Sequence, residues 1–480
     1  MPIEDIHQLI SELEKHGELK RVKVEVDSDL EIAEIMRREM YSDGPAILFE
    51  NVKGFDMPVL GNAFGSMKRL EIALEMTDFT EIGKRITEMT RMEIPSGFLN
   101  KIKKLPELSK MSNSFPKQET SGPITEFTSS TASFDELPIL KSWPNDAGKF
   151  ITLGLVATKH PETGVRNLGT YRIQILDKTH ALMHWQKHKR GADHSEISKD
   201  KGQKIPVAII IGGEPATIFS SIAPVPEGLD KYLFAGITRK EGIKTVKCKT
   251  IDVDVPANAE IVLEGYVDPS DLRDEGPFGD HTGYYTPVEP YPTFTLTGIM
   301  KRKNPIYVTT VVGKPILEDA YIGKVIERSF LPLVQMFHPE VRDFSMPAAG
   351  WFQGFAIISI KKRYPGQAKK VMMGLWGMGQ LALTKMFVVV DEDINVHDIN
   401  DVIWAITTRA DAARDTIIIN NTPTDTLDPA SPLVNLGSKM GIDATQKTKE
   451  EGYEREIQKP VKVDDETRKL VDSRWSQYEL

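Results

Sequence analysis

ITLGLVATKHPETGVRNLGTYRIQIL (151–176) reads as two β-rich runs around a turn that carries Pro161 and Gly164. The runs ITLGLVATK (151–159) and NLGTYRIQIL (167–176) are followed by VAIIIGG (207–213) and TFTLTGIMK (293–301). Short strands separated by Gly, Pro and Asp turns predict a β-barrel or sandwich with inserted helices, spanning residues 123–308. Upstream, helix and strand alternate. Ile6, Leu9, Ile10 and Leu13 make one helical face, with Gly17 placed as its C-cap. Leu19, Val22, Val24 and Val26 suit a half-buried strand, and a helix near 30–40 and the strand AILFENV (46–52) follow. Residues 1–122 are thus expected to form an α/β domain ending in a polar, Lys- and Ser-rich stretch. Downstream, FAIISIKK (355–362), a helix over 366–384, MFVVVD (386–391), the helix DINDVIWAITTRA (398–410) and TIIIN (416–420) predict a second α/β domain over 309–480. The tail is charged, and Leu470, Val471, Trp475 and Tyr478 could form the apolar stripe of a last helix. Such a helix must dock, in cis or on a partner subunit.

Composition narrows the function. A chain of 480 residues exceeds one ordinary core. The net charge of −9 argues against bulk binding to a nucleic-acid backbone. Residues 2–15 lack the apolar run of a secretory signal, so a cytoplasmic location is expected. The most apolar long window, 371–390, is interrupted by Gly374, Gly377, Gly379, Gln380 and Lys385 and is no membrane span. The single cysteine, Cys248, excludes an intramolecular disulfide and a cysteine-rich zinc site. Within TVKCKT (245–250) it reads as a small core residue.

Three stretches carry chemistry. In DEGPFGDHTGYY (274–285), Gly276, Gly279 and Gly283 permit tight turns around Pro277, which can bring Glu275 and Asp280 to one cavity. Neighbouring carboxylates are expected to push one carboxyl up into the neutral range, giving a proton donor. A turn whose acids merely cap backbone N–H groups is the plainer alternative. RNLGTYRIQIL (166–176) places Asn167 and Arg172 five apart, on opposite faces of a regular strand unless Gly169 reorients one. MHWQKHKRGADH (183–194) sets His184, Lys187, His188, Lys189, Arg190 and His194 around Trp185, a composition suited to a phosphate-bearing cofactor with a ring to stack on. No GxGxxG opening a βαβ unit, no GxxxxGK[ST] and no GxSxG occurs. GLWGMGQ (374–380) falls inside an expected helix and reads as helix packing.

NLGTYR, MHWQKHK and EGPFGDHTGYY, in this order, resemble the UbiD family of decarboxylases. GELKRV (17–22), PAILFENVKG (45–54), KKVMMGLW (369–376), NDVIWAITTR (400–409) and LGSKMGIDAT (436–445) extend the similarity along most of the chain. The resemblance implies a central split β-barrel that binds prenylated FMN between two α/β domains. It also implies homodimers or dimer-based hexamers, and a flavin prenyltransferase that supplies the cofactor. By position, Thr170, Tyr171, Arg172, His184, Trp185, Gln186, His188, Lys189 and Arg190 would line the cofactor, and Lys385 would reach its phosphate. Asn167 and His188 match metal ligands for Mn2+ or Mg2+, with K+ as a further cation. Arg172, Glu275 and Asp280 match the catalytic Arg–acid–acid network.

One position departs from the pattern. A metal-binding glutamate is expected in LDKY (229–232), and an ungapped alignment puts Lys231 there. Glu227, Asp230 or Glu241 could supply the missing carboxylate, or the lysine could meet cofactor phosphate as a point charge. The expected reaction is loss of CO2 from an α,β-unsaturated or aromatic acid, for which no side chain is an adequate electron sink. Relatives in isoprenoid and quinone synthesis suggest trans-anhydromevalonate 5-phosphate first, then 4-hydroxy-3-polyprenylbenzoate or a menaquinone-pathway naphthoate. A non-catalytic flavin-binding protein is the competing class, but binding alone needs no acid pair. A metal-dependent hydrolase would need more ligands than Asn167 and His188.

Overall fold

In the computed structural model, which describes residues 2–91, 112–186, 190–225, 228–455 and 461–478, the chain adopts a mixed α/β fold. The four strand runs read in the middle segment belong to one sheet of seven strands. Its order is Ile261–Glu275, Ile205–Ile211, Phe150–Lys159, Arg166–Ile175, His180–Met183, Glu289–Lys301 and Phe127–Ser129. Ile261–Glu275 also pairs antiparallel with Glu289–Lys301, so the order returns on itself. Phe150–Lys159 is buried along nearly its whole length because both of its faces are covered. The two strands read first, Phe150–Lys159 and Arg166–Ile175, are antiparallel neighbours, as their separation by one turn requires.

The N-terminal helix Ile6–Lys15 buries Ile6, Leu9, Ile10 and Leu13, the face that the spacing defines. A four-stranded sheet follows in the order Leu19–Val22, Ala46–Phe49, Val59–Gly61 and Tyr307–Val308. Its last strand comes from beyond the central sheet, so the chain returns to the N-terminal layer before its C-terminal part begins. Helices Thr80–Arg91 and Glu318–Phe337 then pack closely. A Cβ on Gly83 would collide with the Ser329 carbonyl and touch Pro332, so hydrogen at this position sets the helix separation.

The C-terminal sheet has the order Val341–Ser345, Phe355–Ile360, Met386–Asp391, Leu436–Asp443 and Thr416–Pro423. Along Met386–Asp391 the strand period of two separates two cores. Phe387 and Val389 pack with Val371, Met372 and Leu375, whereas Val388 and Val390 pack with Val402 and Ala405. The helix expected over 366–384 is shorter. Gln367–Trp376 ends at Gly377, and Gly379 at φ +51° opens a separate 3-10 turn, so GLWGMGQ terminates a helix rather than packing within one. Helix Asp465–Arg474 buries none of its residues, and Leu470 and Trp475 remain 55% and 56% exposed. Cys248 is buried just beyond the strand Lys244–Lys247, and burial pushes its thiol up. Among the described residues no helix is long and apolar enough to cross a membrane.

Candidate active site

Arg172 lies on the strand Arg166–Ile175, and the turn following Ile261–Glu275 folds over it. Gly276 and Gly283 adopt φ of +93° and +83°, a region open to glycine at little cost, and this lets the turn reverse over the arginine. The sheet side holds the loop through Gln174, whose Oε1 accepts from Gly276 N at 2.7 Å. Asp146 accepts from Gly279 N at 2.8 Å.

The guanidinium is nearly saturated. Its Nε and Nη2 donate to the two oxygens of Glu275 at 2.7 and 2.8 Å, a bidentate pair. Nη1 donates to Asp280 Oδ2 at 2.6 Å, and Nη2 also reaches Thr286 Oγ1 at 3.2 Å. The Phe278 ring lies beneath, 4.9 Å from the guanidinium carbon. Of five N–H groups, one remains for another acceptor. Glu275 is fully buried and Asp280 nearly so.

The charge states differ from the sequence expectation. Burial would raise the Glu275 carboxyl, but hydrogen bonds from His184 and Arg172 outweigh it and hold the group down at about 2. Burial likewise opposes ionisation of Asp280, yet His281 and Arg172 hold it well below the usual carboxylate range. The acids do not raise one another because a cation stands between them. Burial instead raises Asp146 and Asp319, the latter to about 7.

His281 and Asp319 escaped the sequence reading. His281 Nδ1 lies 3.0 Å from Asp280 Oδ1, and burial is outweighed by the Asp280 charge, which lifts the imidazole to about 9. Trp351 and Phe352 bring their rings to 6.2 and 5.2 Å from the His281 ring, so the C-terminal part caps the site. His281 Nε2 and Asp319 Oδ2 are both buried without a hydrogen-bond partner. Adjacency to Asp280 could have flagged His281. Asp319 carries no sequence signal, since an acid in the first turn of Glu318–Phe337 is ordinary.

The other expected residues divide into groups. His184 Nδ1 contacts Glu275 Oε2 at 3.3 Å and its ring lies 4.2 Å from that of Tyr291. Burial and the nearby Arg172 charge lower its basicity, so it is a neutral ring. His184 Nε2 and Trp185 Nε1 are buried without hydrogen-bond partners, polar atoms that a bound molecule would satisfy. Trp185 stands over Gly191, and the Tyr171 ring folds back over Gly169. Gln186 is half-buried, and Arg190 Nη2 donates to the Val225 carbonyl at 3.3 Å. Thr170 Oγ1 is 2.6 Å from Ser221 Oγ, and Asn167 shares a cleft with Thr158, Arg166, Asp230 and Lys231. Lys385 pairs with Asp428 at 2.9 Å in the C-terminal part. Lys187, His188, Lys189 and Glu227 lie outside the described residues.

Among the described residues no three His, Cys, Asp or Glu side chains gather to hold a divalent ion; His188 and Glu227 lie outside them. Asp230, the nearest carboxylate in sequence, caps its helix through Tyr232 N at 2.7 Å and pairs with Arg166 at 3.0 Å.

Comparison with known proteins covers nearly the whole chain. The N-terminal, Rift-related and C-terminal domains of 3-octaprenyl-4-hydroxybenzoate carboxy-lyase match residues 10–87, 116–315 and 320–444. An uncharacterized protein of Archaeoglobus fulgidus is 50% identical over 478 residues, 99% of each chain. Vanillic acid decarboxylase of Sedimentibacter hydroxybenzoicus in its closed form superposes with a TM-score of 0.88 at 27% identity, covering 99% of both chains. The UbiD-class enzyme HmfF of Pelotomaculum thermopropionicum, in complex with FMN, superposes at 0.80 with 28% identity over 98% of this chain and 99% of its own. An evolved dimeric form of HmfF is in complex with prFMN.

Proposed function

This chain belongs to the UbiD family of carboxy-lyases, and from that premise we propose that it removes CO2 from an α,β-unsaturated or aromatic acid using prenylated FMN. The observation that carries the reading is the buried Arg172–Glu275–Asp280 network, with the partnerless His184 Nε2 and Trp185 Nε1 close by. Those atoms, with Thr170, Tyr171, Gln186 and Arg190, would hold the flavin, and we read the self-closing central sheet as the split barrel around it. When bound, prenylated FMN would supply the electron sink for the bonding pair that CO2 leaves behind on the carbon.

The chain's own residues bind the acid and manage the proton. Arg172 has one N–H left, enough to orient a substrate carboxylate but too little to clamp it. Departure of neutral CO2 is favoured in a pocket where Glu275 and Asp280 are both anionic, since a carboxylate beside them is destabilised before it leaves. Asp280 then needs a proton to deliver to the carbon that lost CO2. His281, charged below about pH 9 and hydrogen-bonded to Asp280 Oδ1, supplies it. Glu275 faces His184, whose basicity burial lowers, and it fixes Arg172 and His184 in place.

Asp280→Asn tests this assignment. Turnover of an unsaturated acid should be lost while the flavin absorbance of protein co-produced with a prenyltransferase persists. Wild-type turnover in that variant would refute it. For substrate we favour trans-anhydromevalonate 5-phosphate over 4-hydroxy-3-polyprenylbenzoate and the menaquinone-pathway naphthoate, and parallel assays of the three acids decide. Helix Asp465–Arg474, with Leu470 and Trp475 in solvent, supports a homo-oligomer in which it docks on another copy.

A further inference from the structure

Lys231 opens the helix Lys231–Arg239, with Asp230 as its N-cap. Its Nζ donates to the Ser221 carbonyl at 2.7 Å, in the last turn of the helix Pro215–Ile222. Ser221 Oγ in turn lies 2.6 Å from Thr170 Oγ1, and Lys231 shares the cleft of Asn167. Lys231 thus lines the cleft of Asn167, where a divalent ion is expected from the family resemblance, and its ammonium is bound to the same Ser221 that Thr170 contacts.

No described carboxylate replaces the missing ligand. Both oxygens of Asp230 are engaged, Oδ1 by Tyr232 N and Leu233 N and Oδ2 by Arg166. Asp254, on the cleft wall, faces the same Arg166 at 3.7 Å. Glu241 lies past the far end of the helix that Lys231 begins, roughly 12 Å along its axis. An ammonium contributes no lone pair to a metal and repels one. It is a suitable partner for a phosphate, as a compact point charge with three donors.

We propose that Lys231 replaces the divalent metal, so that this chain holds the flavin phosphate by an ammonium group next to Asn167 and Thr170. The proposal rests on the flavin reading above. It predicts a metal-independent flavoprotein.

The test uses full-length protein purified with its flavin and dialysed against EDTA. Flavin should be retained while elemental analysis finds manganese and magnesium far below one per chain. FMN titration of flavin-free protein should show binding weakened roughly tenfold or more in Lys231→Met, the worth of one charge-assisted hydrogen bond. Lys231→Arg should recover most of it, and Lys231→Glu should make FMN binding depend on added Mn2+. Unchanged FMN affinity in Lys231→Met, with only a lower unfolding temperature of the flavin-free protein, would reduce the lysine to a cap on Ser221 and overturn the proposal. Flavin released by EDTA overturns it too, while leaving the flavin assignment standing. A wild-type chain that takes up no flavin overturns both.

Discussion

Arg172→Met would leave Glu275 buried against the neutral His184, without the guanidinium that now binds both of its oxygens. In the wild type the Glu275 carboxyl falls from 4.5 to about 2 on folding. At about 1.4 kcal/mol per unit this shift is worth about 3 kcal/mol of stability. Because the folded pKa is depressed, that contribution is fully present above pH 4.5 and is lost as the pH falls towards 2. In the variant only the His184 hydrogen bond still opposes burial, so the carboxyl moves back up towards its unfolded value and the stabilisation that the wild type holds above pH 4.5 is lost. The assay is thermal unfolding of the flavin-free protein between pH 4 and 8. The wild type should be flat in this range as far as Glu275 is concerned. Arg172→Met should melt about 6–12 °C lower at pH 8, taking about 3 kcal/mol over a cooperative unit of about 200 residues. The deficit should shrink towards pH 4. A deficit independent of pH would show that the arginine contributes packing rather than charge compensation, and would refute the electrostatic account.

Three further outcomes follow from the cluster beside the site and from the helix contact. Asp319→Asn should move the alkaline limb of kcat/KM, expected near pH 9 from His281, to lower pH, because the Asp319 charge helps hold that imidazole protonated; an unmoved limb would separate the two groups. The same variant should gain thermal stability relative to the wild type as the pH rises from 4 to 7, where the buried Asp319 resists ionisation. Gly83→Ala should lower stability by about 1–3 kcal/mol through its collision with the Ser329 carbonyl, read by thermal unfolding; a neutral result would mean the helices separate freely.

Much of the fold was legible because it depends on local periodicity. The face Ile6, Leu9, Ile10 and Leu13, the central strand runs and the C-terminal alternation all lie where spacing of 3.6 or 2 places them. The helix end at Trp376 was misread because the apolar run continues through Leu381 and Leu383 while Gly377 and Gly379 break the backbone. The pairing of Tyr307–Val308 with Val59–Gly61 joins segments too distant for any sequence window.

For the site, residue identities sufficed to single out Arg172, Glu275, Asp280 and the substitution at Lys231, since each carries chemistry that stands out in its motif. Their electrostatic states belong to the tertiary structure alone. An acid pair read as a sequence suggests one raised carboxyl, but the guanidinium 2.6–2.8 Å from both acids leaves the two ionised. The acids that burial raises are others, Asp146 on the loop and Asp319 on the helix Glu318–Phe337, where burial outweighs the opposing charge of His281. Charge and desolvation act through space between groups far apart in the chain, and so only the folded arrangement could assign them.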